Sequence, residues 1–109
     1  MAYDEKLADR IRAQLADQAD LTEKKVFGGI GFMVRGNLAC GVIGAEMCVR
    51  VGPEAHAQAL AQPGARPFDF SGRPMEGWIY VSAQGFGAAT DLKAWLRRGL
   101  DFALSLPPK

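Results

Sequence analysis

Cysteine and histidine are scarce in this sequence, and each scarcity removes a class of chemistry. Among 109 residues there are two cysteines, Cys40 and Cys48, and a single histidine, His56. Two thiols are too few for a disulfide framework, and both fall in apolar segments that read as strands, where free cysteine behaves as a small hydrophobe. They are expected to be reduced and structural. A Ser-His-Asp or Cys-His catalyst needs an imidazole to take the nucleophile's proton and a carboxylate to orient that imidazole. No carboxylate is placed by spacing to orient His56, so no catalytic residue is assigned and the chain is not expected to be an enzyme. Cys40, Cys48 and His56 recur at eight-residue intervals, without the close pair from which zinc sites are built, and no metal is expected.

An excess of one charge sign is missing as well. Lys+Arg number 13 against 12 Asp+Glu, and no basic block is longer than the pair Lys24-Lys25. That balance carries no basic footprint for nucleic acid, so direct DNA binding by this domain is not expected. No apolar run approaches the ~18 residues of a membrane span, and the opening MAYDEKLADR is charged, which points to a cytoplasmic protein away from membranes. Glycine clusters fail as phosphate cradles. Gly28-Gly29-Ile30-Gly31 runs into a strand rather than a helix N-terminus. Gly85-Phe86-Gly87-Ala88-Ala89-Thr90 approaches the dinucleotide fingerprint, but no second parallel strand follows it and Asp91 would repel phosphates. No cofactor is expected.

What is present reads as one α+β domain over residues 1–109, large enough to bury a core without staples. Tyr3, Leu7, Ile11 and Leu15 recur every fourth position and predict a helix over Tyr3–Gln18, with Asp4 and Glu5 in its first turn. Val26–Val34, Leu38–Ile43 and Glu46–Val51 are expected strands, joined by Arg35-Gly36-Asn37 and Gly44-Ala45. Pro53 opens a short helix, Glu54–Gln62. Strands Arg66–Phe70 and Glu76–Val81 flank the loop Ser71-Gly72-Arg73-Pro74. Thr90 is a candidate N-cap for a last helix whose stripe is Leu92, Trp95, Leu96, Gly99, Leu100, Ala103 and Leu104, stopped by Pro107-Pro108. The order is helix, three strands, helix, two strands, helix, with one antiparallel sheet.

Two-residue turns set the expected register. With Gly44 first in a type II′ turn, Val42 faces Met47, Cys40 faces Val49 and Leu38 faces Val51 on one apolar face. Cys48 then lies opposite Gly41 and Arg50 opposite Ala39, and the two thiols point to opposite sides. The other face is expected to hold Ile30, Phe32 and Val34 beside Ala39, Gly41 and Ile43, and it is apolar too. Either helices divide between both faces or a partner covers one. Ile30, Phe32, Val34 and Ile43 are therefore the candidate interaction surface, for a homodimer or a protein partner. Arg50, Arg66 and Arg73 form a candidate anion site if their strands are neighbours.

Four stretches carry a family resemblance: TEKKVFGGIGFMVRGNLACGV, MCVRVGPEA, RPFDFSGRPMEGWIYV and LKAWLRRGLDFALSLP. Together they resemble the TfoX N-terminal domain family, named after a bacterial regulator of natural competence. The most specific parts are Phe27-Gly28-Gly29, Gly36-Asn37, Val49-Arg50-Val51-Gly52-Pro53 and Gly72-Arg73-Pro74-Met75. The resemblance implies an α+β fold akin to secretion chaperones and a regulatory role, which in the competence regulator is exercised with a second domain and a partner activator of transcription. It supplies no catalytic residues. The expected function is a non-enzymatic bacterial regulatory or protein-interaction domain, and the alternative is an accessory module for small anions or nucleic acid.

Overall fold

The computed structural model describes residues 3–69, 72–73 and 75–108. Its elements are α1 (Glu5–Gln14), β1 (Leu21–Val26), β2 (Gly29–Val34), β3 (Asn37–Ile43), β4 (Glu46–Arg50), α2 (His56–Leu60), β5 (Ala65–Pro67), β6 (Trp78–Val81), α3 (Ala83–Phe86) and α4 (Ala89–Ser105). The strands form one antiparallel six-stranded sheet in the order β1-β2-β3-β4-β6-β5. The α+β class and the general order agree with the sequence, with one strand and one short helix added. The end of the expected strand Arg66–Phe70, and Ser71 and Pro74 of the loop after it, lie outside the described residues.

The added strand comes from splitting the expected Val26–Val34. Phe27 and Gly28 have φ of 52° and 76°, and Val26 pairs with Gly29 across them. Two successive positive φ values make a type I′ hairpin turn, whose twist matches the flanking strands. Arg35 and Gly36, with φ of 54° and 83°, repeat the device between Val34 and Asn37. At the next turn Gly44 has φ of 59° and Ile43 pairs with Glu46. The expected pairs Val42–Met47, Cys40–Val49 and Gly41–Cys48 all form there.

Between β2 and β3 the register shifts at Phe32/Met33: Met33 pairs with Leu38, but Phe32 pairs with Cys40 and Ile30 with Val42. Ala39 is the extra residue of a β-bulge. A bulge inverts side-chain parity, so the face assignment expected for β2 is overturned. Ile30 and Phe32 join Cys40, Val42, Met47 and Val49 in the cluster that the helices cover, while Val34 and Ala39 pack with Ala103 of α4. Leu38 goes to the other side, its Cδ1 lying 2.8 Å from where a Cβ on Gly31 would sit.

Helices α1 and α4 lie over that first face. Asp4 caps α1 by accepting from the N–H groups of Lys6 at 2.9 Å and Leu7 at 3.2 Å, a firmer role than the dipole effect alone. Leu7, Ile11 and Leu15 enter the core from α1, and Leu92, Trp95 and Leu96 from α4. Leu104 departs from the expected stripe and is 38% exposed. The N-cap of α4 is Ala88, without a side-chain bond, so Thr90 falls inside the helix. Buried Asn37 donates to the Pro107 carbonyl at 2.9 Å and fastens the end of the chain to β3.

Arg12 joins α1 to the edge strand by a two-pronged bond to Glu23, at 2.8 and 2.9 Å. The Arg12 guanidinium holds the Glu23 carboxyl below its ordinary 4.5. A depressed folded pKa contributes stability above the unfolded value and loses it as pH falls through the folded one. Both side chains are more than a third exposed, 37% and 36%, so solvent screening keeps the pair to about 0.5 kcal/mol. Comparing wild type with Glu23→Gln by urea titration, the stability gap is expected above pH 5 and to close below pH 4, the pH range following from ordinary carboxylate titration.

Candidate functional site: the aromatic face of the sheet

The second face of the sheet is apolar, as expected, but different residues build it and the chain roofs it itself. Cys48 and Tyr80 are cross-strand neighbours, as are Arg50 and Trp78, and Arg66 flanks Tyr80 from β5. After Pro67 the chain turns back, and Phe68, fully buried, lies over this face. Its ring centroid is 4.6 Å from Tyr80, 5.5 Å from Trp78 and 5.3 Å from Phe27, the last pair edge to face. Phe27 meets Trp78 edge to face at 5.9 Å. Ile43 and Met75, both half-buried, complete the cluster. The roof is held by backbone bonds, Gly72 N–H to Asp69 O at 2.8 Å and Met75 N–H to Phe68 O at 3.0 Å. Quadrupole-matched ring pairs of this kind add to the area they bury.

Of the candidate interaction surface, only Ile43 lies on this face. Ile30 is 8% exposed, and Phe32 and Val34 are fully buried, all on the helix side of the sheet.

The candidate anion-binding arginines do not share a centre. Arg66 stacks on Tyr80 at 4.3 Å, bonds to Glu46 and lies 3.8 Å from Asp69, so its charge is met locally. Arg50, at the opposite end of β4 from Glu46, is about 13 Å away along the strand. Its guanidinium carbon lies over two rings, 5.3 Å from the centroid of Trp78 and 5.1 Å from that of Phe102 of α4. Arg73 is exposed on the loop. An open groove of about 460 Å³ runs past Val51, Gly52, Pro53, Ala55 and Phe102, with Glu54 and Ser105 also lining it, and it shares the Phe102 ring with Arg50.

The groups with chemical potential elsewhere are engaged. Cys40 and Cys48 are 1% exposed and lie on opposite faces, Cys40 under the helices and Cys48 under Phe68. Burial pushes the Cys40 thiol up strongly and the Cys48 thiol up to about 12, so neither forms the thiolate that reactivity needs. Incubated with iodoacetamide at pH 8 without denaturant, both are expected to stay unmodified, and both to react in guanidinium, as mass spectrometry would show. Modification of the folded chain would contradict this placement.

His56, the first residue of α2, is half-buried, and its Nδ1 accepts the Gly77 N–H at 2.9 Å. It pins α2 to the turn before β6. His56→Ala leaves that donor without a protein acceptor and is expected to cost about 1–2 kcal/mol in urea unfolding. Among the described residues no group of three His, Cys, Asp or Glu side chains is placed to hold a metal ion. No helix among them is long and apolar enough to cross a membrane.

Comparison with known proteins gives one family. The family model described as the TfoX N-terminal domain matches residues 13–103. No individual curated protein matches the chain. The matched span takes in all six strands and most of α4, the elements that build both faces of the sheet, and on that basis the chain belongs to the TfoX N-terminal domain family.

Proposed function

We propose that this domain is a non-enzymatic regulatory module that recognises another protein, in the competence-related or transcriptional setting with which its family is associated. The observation that carries this reading is the composition of the rim around the roofed face. Trp78 is half-buried, anchored against Phe68 and Phe27, and carries Arg50 on its ring. Tryptophan and arginine held this way are the side chains that dominate binding energy at protein interfaces. The engaged His56 and the two buried, protonated thiols support the non-enzymatic part.

The partner is read as a different protein rather than a second copy. Phe68 covers the apolar centre of the second face, and Leu104 is the large hydrophobic residue left exposed among the described ones. That is little apolar surface with which to hold an obligate dimer. The alternative of a small-anion or nucleic-acid site on Arg50, Arg66 and Arg73 has less support, because Arg66 is already paired with acidic groups.

A photo-reactive phenylalanine analogue placed at position 78 tests this in the cells the protein comes from. Discrete protein adducts are expected, absent when the probe replaces exposed Thr22 on the edge strand. Adducts to nucleic acid alone, or the same pattern from both positions, would refute the proposal. Adducts of the domain to itself, with a dimer in sedimentation, would make the partner a second copy.

A further inference from the structure

We infer that Arg50 and the groove beside it bind a carboxylate that is flanked by aliphatic side chains, on an acidic segment of the partner protein. The inference rests on the protein-recognition reading above and names the chemistry recognised. Three surface arginines are met by carboxylates: Arg12 by Glu23 and Asp9, Arg35 by Asp20 and Arg66 by Glu46. Arg50, like Arg10, Arg73, Arg97 and Arg98, has no such partner among the described residues, and it differs from them in lying over two rings. Its charge instead lies over the rings of Trp78 and Phe102, each close enough for a cation–π contact. A half-buried guanidinium seated on two rings, with no carboxylate beside it among the described residues, presents its planar fork to an anion.

The groove supplies the second half of the match. Its floor is backbone and ring: Gly52, with φ of 86°, lies so close to Phe102 that a Cβ would come within 2.5 Å of the ring. Val51 and Gly52 both donate their N–H groups to the Gly77 carbonyl, at 2.8 and 3.1 Å, and Pro53 has none. These donors being spent, Arg50 is left to provide the ionic recognition beside an apolar trough formed by Val51, Pro53, Ala55 and Phe102. The trough is of ligand-pocket size and suits an aliphatic side chain next to the acid. Glu54 on the same groove disfavours a polyanion. With a formal charge of +1 for the whole chain, there is no extended basic track for a nucleic-acid backbone. A single carboxylate between aliphatic neighbours fits where a phosphate chain does not.

The test uses the whole ¹⁵N-labelled chain and two peptides, acetyl-Ala-Leu-Asp-Leu-Ala-amide and its Asn counterpart. With the Asp peptide, the Arg50 Nε–H, Trp78 indole N–H and Gly52 amide resonances are expected to shift together and saturate, with a dissociation constant on the order of 1 mM. The Asn peptide should bind the unmodified chain about 10-fold more weakly, a comparison that needs no variant to fold. Arg50→Gln should weaken the Asp peptide about 10-fold, and Arg50→Lys should weaken it several-fold through loss of the planar fork. Glu54→Gln should tighten it about twofold. Inorganic phosphate and a single-stranded DNA oligonucleotide should leave the Gly52 resonance in place. Equal binding of the two peptides, indifference to Arg50→Gln, or saturable binding of the oligonucleotide in place of the peptide would overturn the inference. If the peptides fail while adducts still form from position 78, this inference falls and the protein-recognition reading stands. If the adducts fail while the Asp peptide binds, the protein-recognition reading falls, the assignment of the carboxylate to a partner protein falls with it, and Arg50 is left as a carboxylate site alone.

Discussion

Replacing Phe32 with aspartate is expected to abolish folding, and replacing it with alanine to remove about 3–5 kcal/mol of stability. Phe32 is fully buried in the helix-side cluster, opposite Cys40 and among side chains delivered by α1 and α4. Truncation to alanine removes its transfer energy and leaves a cavity that a two-layer core closes poorly. Set against the ~5–15 kcal/mol typical of a domain, the alanine variant would be marginal at 37 °C. The aspartate variant adds an unpaired buried carboxylate, which costs more than the cavity does. Circular dichroism during urea titration reads both. An aspartate variant that stays folded with an unchanged midpoint would show that Phe32 faces outward and that the bulge is misplaced.

Gly99→Ala is expected to destabilise the domain by about 2 kcal/mol, the reverse of what the helix alone would do. In an exposed helix the change gains ~1 kcal/mol of intrinsic propensity. Here the new Cβ would stand 2.4 Å from the carbonyl oxygen of Ala39 and 3.0 Å from its carbon. The obstacle is backbone, and it belongs to the bulge residue, so no rotamer can relieve it. Helix α4 must then lift from the sheet it covers with Leu92, Trp95 and Leu96. Overpacking of ~1–3 kcal/mol, with packing lost beyond the site, outweighs the propensity gain. For a domain of this size the melting temperature should fall by roughly 8–16 °C. An increase would mean that α4 does not approach β3 this closely.

The two helix stripes and the β3–β4 register were legible because each has a local cause: fourth-residue spacing in α1 and α4, and a glycine turn of known type between the strands. β1 was not. Its sequence, LTEKKV, lies at the sheet edge with Thr22 to Lys25 exposed, and it shows no apolar alternation to mark it. Phe27, with φ of 52°, occupies a turn position where asparagine or glycine would have announced a hairpin.

The bulge at Ala39 was the costlier omission. A single extra residue puts Ile30, Phe32 and Val34 of the candidate surface on the helix side of the sheet, and Ile43 alone stays on the other. No composition signal marks it, because Leu38, Ala39 and Cys40 are all apolar and either parity looks plausible. The roof over the second face was hidden for a different reason. Phe68 reaches Phe27 from 41 positions along the chain, and such contacts carry no local pattern. Of the three candidate arginines, Arg50 lies on a strand as expected, but its contact with both Trp78 and Phe102 depends on α4 meeting the end of the sheet. Sequence spacing does not report that meeting.

The division of the sheet into a helix-covered face and an aromatic face is the claim on which the rest stands, and the nuclear Overhauser contacts of the Phe32 ring test it most directly. Contacts to methyl groups of the helix-side cluster, which includes Ile11, Val42 and Leu96, are the predicted result. Contacts to Phe68, Tyr80 or Cys48, the residues of the opposite cluster, would contradict it.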